Sequence, residues 1–276
     1  MTHAWFPAPV CTTDCVHAGV RRASPAVVAL RIAAVVLVAP LLPLLGVPLP
    51  GRPRIQRGCC RLVLRCFGVR VSTVDGPIRN LSGVLVVSGH VSWLDVFVIG
   101  ALSPGSFVAR ADLIRWPVLG LLARLMRIIP IDRYSLRGLP TVVDAVAARL
   151  RAGATVVAFP EGTTWCGRAR GVFHPALFQA AVDAARPVQP LRIDYRDGED
   201  APSTLPAFVG DDTLLASIGR LLTARRTVAR VQVGPLQLPG ADRRELARRC
   251  QAAVGHYGRR GQSARTDAER GAVSGW

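Results

Sequence analysis

No lysine occurs anywhere in the chain: all 35 basic side chains are arginine, and against 18 acidic ones they leave a net charge of +17. A surface this cationic seeks polyanions, either nucleic acid or anionic lipid headgroups. Aromatic residues are scarce, at 6%, and the arginines are dispersed along the chain. That removes an obvious base-stacking platform, so no specific nucleic acid is expected and an anionic membrane surface is the expected partner. No G-x-S-x-G occurs, which excludes a nucleophile elbow. The seven cysteines (Cys11, Cys15, Cys59, Cys60, Cys66, Cys166 and Cys250) include no C-x-x-C pair. Their odd number argues against a closed disulfide framework. Cys11, Cys15 and His17 lie close together, but no second ligand pair has matching spacing, so no metal is expected. Reduced thiols facing the cytoplasm follow. No internal repeat is present.

What the chain has in quantity is apolar length. Half of its residues are hydrophobic, enough for a sizeable core. From Ile32 to Leu49 the sequence IAAVVLVAPLLPLLGVPL carries no charge, which reaches the lower limit for a spanning helix. Pro40, Pro43 and Pro48 each remove a backbone donor and bend such a helix. Arginines flank both ends: Arg21, Arg22 and Arg31 before, Arg52, Arg54, Arg57 and Arg61 after. A single span carries its positive excess on one side, so a re-entrant or monotopic anchor is favoured over a single pass. No A-x-A-like site marks a signal peptide. The next stretch, IQRGCCRLVLRCFGVR, places Arg57, Arg61 and Arg65 on one helical stripe and Cys60, Leu64 and Phe67 on the other side. It reads as a basic amphipathic segment at a lipid interface or as a surface helix packing Leu and Phe into the core.

Beyond the anchor, strand-like runs (Val84–Ser88, Ser106–Ala109, Ile128–Ile131, Thr155–Phe159, Val188–Ile193, Val228–Val233) alternate with helical ones. This predicts an α/β domain with a mixed, mostly parallel sheet flanked by helices. The divisions are a leader at 1–25, the anchor with its amphipathic segment at 26–75, the α/β domain at 76–257 and a disordered tail at 258–276. LIRWPVLGLLARLM, Leu113 to Met126, is nearly all apolar. It is read as a buried core helix or as a lipid-facing wall.

Parallel sheets place their sites at the carboxyl ends of strands. SGHVSWLDVFVIG, Ser88 to Gly100, puts His90 just past one such end and Asp95 about a turn into the next helix. A carboxylate there fixes the imidazole tautomer, and the free nitrogen can take a proton from a hydroxyl. The spacing alone is weak, and a polar pair at a surface turn reads equally well. FPEGTTW, Phe159 to Trp165, opens at another strand end. Pro160 ends the pairing there, and Gly162 permits close backbone approach. PIDR, Pro130 to Arg133, closes a third strand with a guanidinium able to clamp a phosphate. PVQPLRIDY, Pro187 to Tyr195, is a strand with a proline near its middle.

These four blocks, in this order, resemble the glycerolipid acyltransferase superfamily typified by bacterial 1-acylglycerol-3-phosphate acyltransferases. The correspondence runs over Val84 to Tyr195: His90 with Asp95, then Ile131-Asp132-Arg133, then Phe159-Pro160-Glu161-Gly162-Thr163, and more loosely the strand around Pro190. Arg110 stands where many members have a lysine. The resemblance implies acyl transfer from a thioester, coenzyme A or acyl carrier protein, to a lipid acceptor's hydroxyl in membrane phospholipid biosynthesis. His90 would be the base, oriented by Asp95. Arg133, Glu161, Gly162 and Thr163 would bind the acceptor's head, and no cofactor or metal would be needed. The expected location is the cytoplasmic face of the cell membrane.

One departure stands out. Many phosphatidate-forming members follow F-P-E-G-T with R-S, where this chain has Thr164-Trp165. A neutral threonine cannot replace a bidentate cation. Either Arg168 or Arg170 reaches the same space, or the acceptor is a different lipid, such as a lysophospholipid with a substituted headgroup or an amino-acid-based lyso-lipid. A thioesterase using Cys166 with His90 is the rival enzyme.

Overall fold

Val84-Leu85-Val86-Val87 contains no polar side chain, so a strand built from it must be covered on both faces. The computed structural model describes residues 11–16, 21–40, 51–74, 76, 78, 81–112, 120, 123, 127–132 and 135–255, and it places this strand at the centre. Two helices come first, α1 (Pro25–Val38) and α2 (Arg52–Cys66), followed by strand β1 (Val69–Val74). Then come β2 (Leu85–Ser88), α3 (Leu94–Leu102), β3 (Ser106–Arg110), β4 (Ile129–Ile131), α4 (Leu139–Arg151) and β5 (Val156–Ala158). The chain continues through α5 (Phe178–Asp183), β6 (Val188–Arg196), α6 (Leu214–Thr223) and β7 (Thr227–Val233), and the last described helix, α7, covers residues 243–255.

The seven strands form one sheet in the order β1-β7-β6-β2-β5-β3-β4. Every pairing is parallel except β6 with β7, so the expected mixed, mostly parallel sheet is present. Alternate side chains of a strand face opposite sides, and β2 divides accordingly. Val84 and Val86 join a core containing Cys60 and Leu64 of α2, Leu94 and Val98 of α3, and Leu221 of α6. Leu85 and Val87 join a second core containing Val146 and Leu150 of α4, Phe178 of α5, and Leu246 and Cys250 of α7. The result is a helix–sheet–helix sandwich.

Three readings are corrected or bounded. Val69–Val74 is an edge strand of the sheet, whereas the sequence divisions start the α/β domain at 76. Its core-facing residues sit among exposed Arg70, Ser72 and Thr73, which hides the strand from a search for apolar runs. α2 is a core-packing surface helix: Gln56, Cys60, Val63, Leu64 and Cys66 are buried, while Arg54, Arg61 and Arg65 remain exposed. α1 buries no residue at all. Its 14 residues span ~21 Å, short of the ~30 Å hydrocarbon thickness. Among the described residues no helix is long and apolar enough to cross a membrane. Residues 41–50, most of the apolar stretch 113–126, Arg133 and the tail lie outside the described residues.

Candidate active site

Because β2, β5, β3 and β4 run parallel, the residues after each strand emerge on one edge of the sheet. The β2–β5 register pairs Val87 with Ala158, so continuing it carries His90 alongside Glu161. Gly89 makes this juxtaposition possible: a Cβ there would lie 3.2 Å from Glu161 Oε1. The backbone N–H of His90 donates to Glu161 Oε2 at 2.9 Å, and that of Gly171 donates to Glu161 Oε1 at 3.2 Å. Glu161 is buried, and burial pushes its carboxyl up to about 7. The His90 and Gly171 amides and the charge of Arg170 act in the opposite direction. With both oxygens occupied, this carboxylate ties together the loops after β2 and β5, a different task from the headgroup contact expected of it.

The His90–Asp95 pair is formed. His90 Nδ1 lies 2.9 Å from Asp95 Oδ2. That oxygen also accepts the N–H groups of Val91, at 2.7 Å, and Ser92, at 2.9 Å. Its companion Oδ1 accepts the phenol O–H of Tyr195 at 2.6 Å. Asp95 is wholly buried, while the His90 side chain retains 17% of its exposure. Surrounded by donors, the carboxylate is an acceptor, so Nδ1 carries the hydrogen and the Nε2 lone pair is free for a proton. Phe159 stacks on the imidazole, with centroids 4.1 Å apart and planes 17° off parallel. The ring's orientation is therefore fixed from two directions.

Tyr195 is the functional residue that sequence reasoning missed. It sits on β6, and burial together with the negative charge of Asp95 raises its phenol well above the usual range. It remains a donor throughout any ordinary pH. The available signal was a tyrosine in register with Leu191 and Ile193 on the apolar face of an alternating strand, because a buried phenol needs a partner.

The remaining candidates separate. Gly162 adopts φ +71°, the left-handed turn that glycine tolerates, and Thr163 is buried beside it. Thr164 donates its hydroxyl to the Phe208 carbonyl, and the backbone N–H of Trp165 donates to the His90 carbonyl at 2.8 Å. Arg170 is engaged by Asp194 at 2.8 Å, and Arg192 holds that carboxylate's other oxygen at 2.7 Å. Arg168 is exposed on the same loop. Arg110 ends β3, forked onto Asp112 at 2.9 and 2.5 Å. Arg133 lies outside the described residues. Cys166 is buried, and its sulfur accepts the Ala169 N–H at 3.5 Å. No hydrogen bond joins it to His90 among the described residues, which leaves the thioesterase reading without its nucleophile–base contact.

The family model described as acyltransferase matches residues 71–194. A lyso-ornithine lipid O-acyltransferase of Pseudomonas aeruginosa is 39% identical over 191 residues, 68% of this chain and 71% of that protein. A 1-acyl-sn-glycerol-3-phosphate acyltransferase of Neisseria meningitidis is 35% identical over 171 residues, 62% of this chain and 67% of that protein. Among solved structures, the 1-acyl-sn-glycerophosphate acyltransferase of Thermotoga maritima shares the fold. Its TM-score is 0.55 at 17% identity, covering 83% of this chain and 92% of that one.

Proposed function

This chain belongs to the acyltransferase family, and from that premise we propose that it acylates the hydroxyl of a lyso-lipid whose polar end is not a bare phosphate, an amino-acid lyso-lipid of the lyso-ornithine kind. The donor is a fatty acyl thioester of coenzyme A or acyl carrier protein. His90 Nε2 takes the proton of the acceptor hydroxyl as its oxygen attacks the thioester carbonyl carbon. The carbon–sulfur bond then breaks, and the imidazolium returns the proton to the departing thiolate. Asp95, held by Val91, Ser92 and Tyr195, keeps the imidazole in the tautomer this requires and stabilises the imidazolium. No acyl-enzyme is needed.

The observation that carries the transfer chemistry is the fixed His90–Asp95 pair, with its second nitrogen free, beside the Glu161-Gly162-Thr163 turn. The choice of acceptor rests on Thr164 and Trp165. Where phosphatidate-forming relatives offer a guanidinium, Thr164 is bound to the Phe208 carbonyl, and the neighbouring Arg170 is held by Asp194. The resemblance to the P. aeruginosa protein points the same way.

Membrane attachment is part of the same reading. α1 presents Leu30, Val36 and Leu37 at 70%, 66% and 71% exposure. Beside it Arg31, Arg65, Arg70, Arg225 and Arg226 line one recess. Apolar side chains next to clustered guanidinium groups suit an anionic bilayer surface.

The test is a panel of acceptors. Purified protein is given acyl-CoA or acyl carrier protein thioester with lyso-ornithine lipid, lysophosphatidic acid and head-substituted lysophospholipids. The amino-acid lyso-lipid is expected to give the highest kcat/KM. Lysophosphatidic acid outperforming it by tenfold or more would overturn the choice of acceptor and leave the transfer chemistry standing.

A further inference from the structure

Three cysteines that the acyl-transfer chemistry does not use meet behind the site. Cys11 and Cys15 come from the segment that begins the described structure, and Cys166 follows the Glu161-Gly162-Thr163 turn. Their sulfurs all lie within 4.8 Å of one another, with Cys11 and Cys166 buried and Cys15 half-buried.

The local backbone is shaped to present them. A single 3-10 turn, Thr13–Cys15, folds Cys15 back towards Cys11. The C-x3-C spacing falls within the range that structural zinc sites use for one pair of ligands. Gly167, at φ +86°, turns the chain directly after Cys166, so that the Ala169 N–H points at the Cys166 sulfur from 3.5 Å. An amide aimed at a sulfur supports the thiolate rather than the thiol and orients it as a ligand. Sequence spacing shows only the first pair, and the fold brings in the third sulfur from far along the chain. Buried cysteines often act as small hydrophobes. Simple packing, however, does not require three sulfurs from two separate loops to converge on one point.

We propose that Cys11, Cys15 and Cys166 bind one zinc ion through three thiolates, with a water from the half-buried Cys15 side completing the tetrahedron, clamping the segment 11–15 onto the loop that carries Trp165. That loop touches the proposed base directly, through the backbone N–H of Trp165 on the His90 carbonyl at 2.8 Å. The zinc is structural: it braces the back of the site and takes no part in acyl transfer. As each Zn–S bond forms, a thiol loses its proton to solvent, so binding releases protons and weakens in acid. No oxidant or reductant is involved.

The full-length protein, freshly purified in reducing buffer and desalted, is analysed for metal by plasma mass spectrometry. About one zinc per chain is expected. Cys11→Ser and Cys166→Ser should each lower it at least tenfold, and Cys59→Ser on α2 should leave it unchanged. If those variants fold poorly, the wild-type protein decides. Exchange with cobalt(II) should give thiolate-to-metal charge-transfer bands and the visible spectrum of a tetrahedral site. Three results would overturn the proposal: freshly purified reduced wild type holding less than about a tenth of a zinc per chain and giving no such cobalt spectrum, metal retained in Cys166→Ser, or loss of two thiols to a disulfide with no metal bound.

Discussion

Asp95 receives hydrogen bonds from four groups, and each has a separable consequence. In Asp95→Asn the Val91 and Ser92 amides hold the carbonyl oxygen opposite His90 Nδ1 and the NH₂ faces Tyr195, so the ring keeps its acceptor but the imidazolium loses the negative charge that stabilises it. Turnover should fall by about 10²–10⁴-fold while vesicle binding persists, as measured by initial rates and co-sedimentation. Tyr195→Phe removes a single donor. Oδ1 then loses the phenol that holds it, so kcat should fall, but by less than in Asp95→Asn, as initial rates will show. Stability should fall by about 1 kcal/mol. Glu161 titrates in the opposite sense from an ordinary ion-paired acid. Its folded value is about 7 against an ordinary 4.5, so between those values the unfolded chain releases a proton that the native state retains. The contribution of Glu161 to stability is therefore greatest below about 4.5 and is lost as pH rises through about 7. Glu161→Gln should flatten that slope in a comparison of melting temperature against pH. It should also cost about 1–3 kcal/mol at acidic pH, because its NH₂ group faces an amide donor. The His90–Asp95 pair and the Glu161 turn were legible in sequence because their types and order are dictated by chemistry. The task of Glu161 was not. A carboxylate looks the same in a sequence whether it faces a ligand or two backbone amides, and only the register of β2 against β5 decides.

The elements that mattered most are the short loops after β2 and β5. At Gly89 they pass closely, with a Cβ there reaching 3.2 Å from Glu161 Oε1. Gly89→Ala should push the loops apart by a few tenths of an ångström. It should reduce kcat more than it raises either substrate's KM, since it disturbs the base rather than the binding surfaces. The continuous apolar run of β2 and the i, i+3, i+4 spacing of α4 could be read directly. β1 could not. As an edge strand it carries exposed Arg70 and Thr73, and its strand character comes from the parallel pairing with β7, which local sequence does not contain. α2 presents the reverse problem. Its arginine stripe and its apolar stripe suit a bilayer or a protein core equally well, and the packing of Cys60 and Leu64 against the sheet's helical layer is what separates the two.

For the whole molecule, the net charge of +17 and the exposed apolar face of α1 belong to one account of attachment. Sedimentation with anionic vesicles should weaken as salt rises. Arg65→Glu with Arg70→Glu should reduce it several-fold, and Leu30→Asp with Leu37→Asp should weaken it even at low salt, because the apolar contribution is not screened. Neutral vesicles binding as well as anionic ones would contradict the electrostatic part.

The central claim is that an imidazole held by a buried carboxylate transfers the acyl group directly to the acceptor's oxygen. Counting labelled acyl groups moved from acyl-CoA to the lyso-lipid by His90→Ala beside the wild type, with a search for label left on Cys166, tests it most directly. The account predicts a loss of about 10²–10⁴-fold for His90→Ala and no labelled acyl group on Cys166 of the wild type. Wild-type transfer by His90→Ala, or a labelled acyl-enzyme on Cys166, would contradict it.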